Sequence, residues 1–218
     1  MELWTIWLLF ISESLEFLVA SLGLSEAVAI IVFTILGRLV LLPISFHAAL
    51  KMHDNRVAIN RIKPALTRLQ ERFHDDAAEL GRRTLALYRK EGVTFFNWTT
   101  IANMGTQVTF GLGVFQALRN APLSAKFLWI ADIAKPDALL AVLVGALTFI
   151  SMLMMPGAPE HGSLVIYLIP ALVACFMLAV FPSALGLFWA TSNVVTITQA
   201  VALNSFVTKR DGPKAPSA

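Results

Sequence analysis

Residues 28–42 read VAIIVFTILGRLVLL, an apolar run broken by one charge, Arg38. Extended to residues 25–47, the run has the length of a membrane-crossing helix, which takes about 20 predominantly apolar residues. An arginine near the middle of such a helix costs roughly 2.5–3.5 kcal/mol on insertion scales. A charge that costly must be solvated by a carboxylate, by water or by polar groups on neighbouring helices. Snorkelling along the aliphatic stem is the other reading, and from mid-span the distance to the surface is long. How the chain provides for Arg38 decides what the rest of it is.

The composition is that of a chain whose solvent is partly lipid. Of the 218 residues, 57% are hydrophobic and 14% charged, with a mean hydropathy of +0.71; an average soluble domain is about 25% charged. The length suits one domain, and the fold class is all-α, polytopic. Apolar stretches at 25–47, 95–118, 137–155, 164–181 and 183–207 predict five spans within a core over residues 25–208. The last two spans meet at Phe181-Pro182-Ser183, where proline suits a helix start. Residues 3–22 form a further apolar stretch that is not counted. Glu2, Thr5, Ser12, Glu13 and Glu16 share one helical face, with Trp4, Trp7, Leu8, Phe10 and Leu15 over much of the rest. Two mid-span glutamates would be costly in lipid, so residues 1–24 are expected as an amphipathic helix lying in the interface. They show no basic n-region or small-residue cleavage site of a signal peptide.

Lysine and arginine set the orientation. Residues 50–93 hold ten: Lys51, Arg56, Arg61, Lys63, Arg68, Arg72, Arg82, Arg83, Arg89 and Lys90. The tail, 209–218, adds Lys209, Arg210 and Lys214, whereas 119–136 has only Arg119, Lys126 and Lys135 and the first 26 residues have none. The amino terminus is therefore expected outside, with the long loop and the tail in the cytoplasm. That loop is itself helical by pattern: Val57, Ile59, Ile62, Leu66, Leu69 and Phe73 recur at helical spacing. Phe73-His74-Asp75-Asp76 breaks the pattern and offers an aspartate cap. Leu80, Thr84, Leu87 and Tyr88 resume it, predicting a hairpin over 50–93. Its charges read most simply as a solvated face, and a basic surface beside the membrane could also meet lipid phosphates or ribosomal RNA.

Every carboxylate lies at or beyond the end of a span, so Arg38 has no ionic partner in the membrane. Neutral polar residues cluster instead. Thr34 lies one turn away. The second span carries Thr99, Thr100, Asn103, Thr106 and Gln107 in its cytoplasmic half, and the fifth carries Trp189, Ser192, Asn193, Thr196 and Gln199. Such stripes can simply join helices. Three of them at one depth beside an unpaired arginine predict a wet cavity open to the cytoplasm and closed by an apolar outer half. Cys175 is alone, and His47, His53, His74 and His161 have no ligand spacing, so neither a disulfide nor a metal site is expected. No phosphate loop or nucleophile elbow is present; no cofactor and no enzymatic activity are expected.

The segment Ile35-Leu36-Gly37-Arg38-Leu39-Val40-Leu41-Leu42-Pro43 resembles the arginine-bearing first core span of YidC-type membrane protein insertases and their mitochondrial and chloroplast relatives. Ile62-Lys63-Pro64, Gln70-Glu71-Arg72, Asp75-Asp76 and Leu87-Tyr88-Arg89-Lys90-Glu91-Gly92-Val93 resemble that family's cytoplasmic hairpin. Leu128-Trp129-Ile130-Ala131-Asp132 resembles its outer loop, and Phe181-Pro182-Ser183-Ala184-Leu185 with Thr191-Ser192-Asn193 and Val195-Thr196-Ile197 its last span. The resemblance implies a hydrophilic groove that receives hydrophilic segments of nascent membrane proteins while apolar segments pass into the bilayer. By position it implies Arg38 as the groove charge, Thr34 as its neighbour and Trp189 at a substrate-contacting position; the polar stripes add Asn103, Gln107, Ser192, Asn193 and Thr196 as candidate groove residues. The partners implied are nascent clients and membrane lipids, with the ribosome and the Sec translocon as candidates and no DNA. The family's Asn-Pro with glycines after the hairpin is replaced by Thr94-Phe95-Phe96-Asn97-Trp98, without the usual second-span prolines. Two other readings stay open: a small anion transporter or channel subunit, and a scaffold that assembles but does not insert.

Overall fold

The computed structural model describes residues 2–94, 98–155 and 164–212. Residues 95–97 of the predicted second span, Glu160, His161 and residues 213–218 of the tail lie outside the described residues. The fold is all-α: α1 (Glu2–Ala20), α2 (Glu26–Arg72), α3 (Ala77–Lys90), α4 (Trp98–Asn120), α5 (Ala138–Leu153), α6 (Leu164–Leu178) and α7 (Ser183–Asp211). No strand occurs among the described residues, only one isolated bridge between Phe127 and Ile130. Three helices, α1, α2 and α7, are long and apolar enough to cross a membrane by length and composition; α5 and α6 are apolar but shorter. α4 has the length, at 23 residues, but its polar residues keep it out of that group.

Ser25 starts α2, its hydroxyl accepting from the Val28 amide at 3.4 Å. The helix then runs 47 residues, through Pro43 and Pro64, to Arg72. Where the sequence separates a span ending at 47 from a hairpin starting at 50, the chain stays helical, because nothing between Ser45 and Met52 breaks a helix. At 1.5 Å per residue α2 is about 70 Å long, more than twice the roughly 30 Å hydrocarbon core of a bilayer. Its far part pairs with α3 across the turn at residues 73–76, where Asp76 accepts from the Glu79 amide at 2.9 Å. The guanidinium groups of Arg72 and Arg83 lie 5.7 and 4.5 Å from the Phe73 ring centre. α3 itself buries no residue, and the buried apolar side chains within residues 50–93 are Ile62 and Val93.

Buried apolar residues gather at one end of the helix array. Ile30 and Phe33 of α2, Phe110, Val114 and Leu118 of α4, Leu140 and Val144 of α5, and Ala184, Leu185 and Leu187 of α7 form one cluster with Ile11 and Leu18 of α1. The loop at 121–137 is stitched over that end. Glu26 accepts from the amides of Ser124 and Ala125 at 2.8 and 3.1 Å. The Lys135 carbonyl accepts from the Ser183 amide and hydroxyl at 2.9 and 2.6 Å. Asp137 caps α5 at the Leu140 amide, 2.7 Å away, and accepts from the Trp129 indole at 3.2 Å. Ile130 and Ile133 are buried beneath the loop.

α1 packs on α4. The Trp4 indole donates to Gln116 Oε1 at 2.9 Å and that of Trp7 to the Thr109 carbonyl at 3.3 Å. Gly113 permits the approach, since a Cβ there would sit 2.7 Å from Ile11 Cδ1. One side of α1, with Trp7, Phe10 and Phe17, faces the Ala102–Phe110 stretch of α4; the other, with Ser12, Leu15 and Glu16, faces Gln116 and the start of the loop.

Candidate functional site

Arg38 sits half-buried where α2, α4 and α7 meet. Its Nε donates to Ser192 Oγ at 3.2 Å and its Nη1 donates to Gln107 Oε1. A guanidinium has five N–H donors and stays charged in proteins, so neutral acceptors engage only part of its capacity. Among the described residues it makes no ion pair. Ser192 is itself buried, and its carbonyl accepts from the Thr196 hydroxyl at 2.9 Å. Two turns along, Ser45 Oγ donates to Gln199 Oε1 at 3.1 Å and ties α2 to α7 again. Asn103 lies one turn from Gln107, and its Oδ1 is buried without a hydrogen-bond partner among the described residues. Further along α2, a cavity of about 610 Å³ is lined by Lys51, Asp54, Asn55, Glu91, Thr94 and Thr100. Beyond it, Arg210 Nη2 meets Asp54 Oδ1 at 2.5 Å and His53 lies 3.4 Å from Asp211, which hold the end of α7 against α2. The hydrogen bond from Arg210 holds the Asp211 carboxyl below its ordinary range.

On the side of Arg38 toward the apolar end, three phenylalanines close the column. The rings of Phe33 and Phe110 are 6.0 Å apart, and those of Phe110 and Phe188 5.9 Å. One comes from each helix that surrounds Arg38. Gly37 lets α4 come close, since a Cβ there would lie 2.5 Å from Phe110 Cε2.

The residues singled out in the sequence do not all converge. Arg38, Gln107 and Ser192 touch, and Thr196 and Asn103 flank them. Thr34 does not join: it is fully buried, and its hydroxyl donates at 2.6 Å to the Ile30 carbonyl of its own helix, a bond that helical threonines readily make. Asn193 turns to α5, donating to Thr148 Oγ1 at 2.9 Å and accepting from Ser151 Oγ at 3.5 Å. Trp189 is half-buried against the apolar cluster, one turn from Ser192. Ser45 and the phenylalanine layer were not expected. Ser45 stands seven residues after Arg38, as Gln199 does after Ser192, and that shared two-turn spacing is its signal. No group of three or more His, Cys, Asp or Glu able to hold a metal occurs among the described residues. What the site offers is a partly buried positive charge with neutral donors and acceptors spaced along α2, α4 and α7 on one side of it.

Residues 17–210 match the model of the 60Kd inner membrane protein family. The chain is similar to the membrane protein insertase YidC of Geobacter sp. (strain M21), with 29% identity over 89% of this chain and 36% of the relative. It is 30% identical to membrane protein insertase YidC 1 of Listeria monocytogenes serotype 4b (strain F2365), over 87% of this chain and 68% of the relative. With the YidC of Clostridium tetani it shares 26% identity over 87% of this chain and 86% of the relative. The chain thus spans about a third of the length of the Geobacter relative.

Proposed function

The chain belongs to the 60Kd inner membrane protein family, and from that premise we propose that it is a membrane protein insertase and chaperone of the bacterial inner membrane. The observation that carries this reading is Arg38, a charge held by Gln107 and Ser192 with no carboxylate among the described residues to neutralise it. A hydrophilic segment of a nascent membrane protein enters the column from the cytoplasm. Polar groups from Ser45 and Gln199 to Arg38 replace part of its water, which lowers the cost of leaving bulk solvent. The charge attracts acidic groups in that segment, more strongly than in water because the surroundings are less polar. Apolar segments pass sideways into lipid along the exposed faces of α4 and α6, where Met104, Val108, Val173 and Phe176 stand outward. Insertion of this kind makes no covalent bond, so the chain is not an enzyme and needs no cofactor.

In this reading α2, α4, α5, α6 and α7 are the five spans, the hairpin and the carboxyl-terminal end are cytoplasmic, and α1 lies in the outer interface. The placement of α1 is supported by the polar face that Glu2, Thr5, Ser12, Glu13 and Glu16 share and by the exposure of Glu13 and Glu16 beside the buried Ile11 and Leu18. Clients and lipids are the partners, and the basic hairpin offers a surface to lipid phosphates or ribosomal RNA. A transporter needs access from both sides; the packed apolar end and the loop stitched over it argue against one. The test is a photoreactive side chain at Trp189, with one at Val142, exposed on α5, as control. Arrested nascent membrane proteins should crosslink from position 189 through their hydrophilic segments and far less from 142. Equal crosslinking from both would sink the groove reading.

A further inference from the structure

On the face of the α2–α4 pair opposite the Arg38 column lies a cavity of about 1130 Å³, roofed by α1. Its size is somewhat above the roughly 300–1,000 Å³ common for small-molecule sites. The space exists because its walls are small or set back: Gly37 on α2 and Ala102, Gly105 and Thr106 on α4. Trp7, Phe10 and Phe17 of α1 close its upper side. No lysine or arginine lines it, and its one charge is Glu13 on α1. Glu13 is exposed and makes no ion pair among the described residues. α1 as a whole carries Glu2, Glu13 and Glu16 and no cation.

We propose that this cavity is a lipid site, holding an acyl chain of phosphatidylethanolamine with its ammonium group at Glu13. The lining calls for hydrocarbon. A client helix about 10–12 Å across, running with the bundle, would be stopped by α1, whereas an acyl chain can bend under Trp7 and Phe10. Charge complementarity selects the headgroup: an ammonium suits the glutamate rim, and an anionic glycerol headgroup is repelled by it. Gly37 and Thr106 are neighbours in sequence of Arg38 and Gln107, so the lipid backs the wall of the groove.

The site rests on α1 lying in the outer interface. It is tested on purified protein, by a readout that does not depend on insertion, so its failure and that of the insertase reading are separable. The full chain is reconstituted in vesicles of equal phosphatidylethanolamine and phosphatidylglycerol with matched chains, extracted, and its retained lipid identified by native mass spectrometry. Phosphatidylethanolamine should be retained over phosphatidylglycerol by up to about fivefold, the ratio that one exposed ion pair supports. Glu13→Gln should keep bound lipid and lose the preference. Gly105→Leu should lose the lipid while folding normally, because nothing lies within 4 Å of a Cβ at Gly105 and the new side chain enters the cavity. Equal retention of the two lipids by the unsubstituted protein overturns the headgroup assignment. Unchanged retention by Gly105→Leu, or crosslinking of a client polypeptide instead of lipid from position 102, overturns the site.

Discussion

Removing the Arg38 charge should harm some clients far more than others. Two unit charges about 4 Å apart attract by about 1 kcal/mol in bulk water and about 4 kcal/mol at an effective dielectric of 20. Arg38 is half-buried between those limits. At 1.4 kcal/mol per tenfold, Arg38→Ala should lower groove occupancy by between about fivefold and roughly a thousandfold for each client carboxylate that meets it. A client with neutral residues in place of the acidic ones still gains the polar column and should suffer much less. Arg38→Lys keeps the charge but replaces the planar fork that reaches Ser192 Oγ and Gln107 Oε1 with a single ammonium nitrogen. It should retain much of the activity for both clients. The assay is insertion of a matched client pair into vesicles carrying each variant, with thermal stability measured in parallel. That control matters because deleting an unpaired buried charge can stabilise a fold, although here it also leaves Gln107 and Ser192 without their donor. Equal loss for the two clients, in a well-folded Arg38→Ala protein, would refute the charge-attraction role and leave Arg38 only a part in hydration.

Gly37→Ala drives a methyl group against the Phe110 ring, 2.5 Å from its Cε2, and should cost about 1–3 kcal/mol as overpacking does; a lower melting temperature that Phe110→Leu partly restores is expected, and no change would mean that α2 and α4 do not meet there. Hydrogen bonds from Arg82, then Arg83, hold the Glu79 carboxyl at about 2, against an ordinary 4.5. A depressed folded value gives support that is complete above pH 4.5, declines below it and is gone as pH falls through about 2. Amide protection in α3 should follow that window and become flat in Glu79→Gln; a Glu79 titration near 4.5 would contradict the pairing. For the topology, single cysteines placed between residues 60 and 85, with Cys175→Ala, should be labelled from the cytoplasmic side alone, and labelling from outside would reverse the assignment and the groove with it.

Arg38 could be found in the sequence because a membrane makes every buried charge conspicuous, and the polar residues on two other segments stood out for the same reason. Which of them face Arg38 depends on rotation about each helix axis, and part of that was readable. Ser192 and Asn193 are neighbours in sequence and point about 100° apart on a helix of 3.6 residues per turn, so only one could face α2; the other turns to Thr148. Thr34 misled because a hydroxyl can be satisfied by its own helix, so its presence near a charge carries little information. The rotation of α4, and with it Gln107, could not be had from α4 alone. It is set by two places without side chains, Gly37 against Phe110 and Gly113 against Trp7 and Ile11. The change from apolar to basic composition separated the span ending at 47 from the hairpin starting at 50, but composition does not mark a break in the backbone, and one uninterrupted helix serves both.

The phenylalanine layer was hidden for a different reason. Phe33, Phe110 and Phe188 look like any lipid-facing residues until their order is compared with that of the polar groups. In α2, Phe33 precedes Arg38; in α4, Gln107 precedes Phe110; in α7, Phe188 precedes Ser192. Helices that cross a membrane in alternate directions must reverse their order to place like groups at one depth, and α4 runs opposite to α2 and α7. The reversal is therefore a constraint that joins the three helices before any contact is known. It also explains why the column is blind at one end. Each helix turns from polar to aromatic within about one to one and a half turns, all at the same level, and beyond that level the interior is the apolar cluster from Ile30 to Leu187. In the insertase reading proposed above, a column closed at this level would admit a segment from the cytoplasm and release it either by the way it came or sideways into lipid.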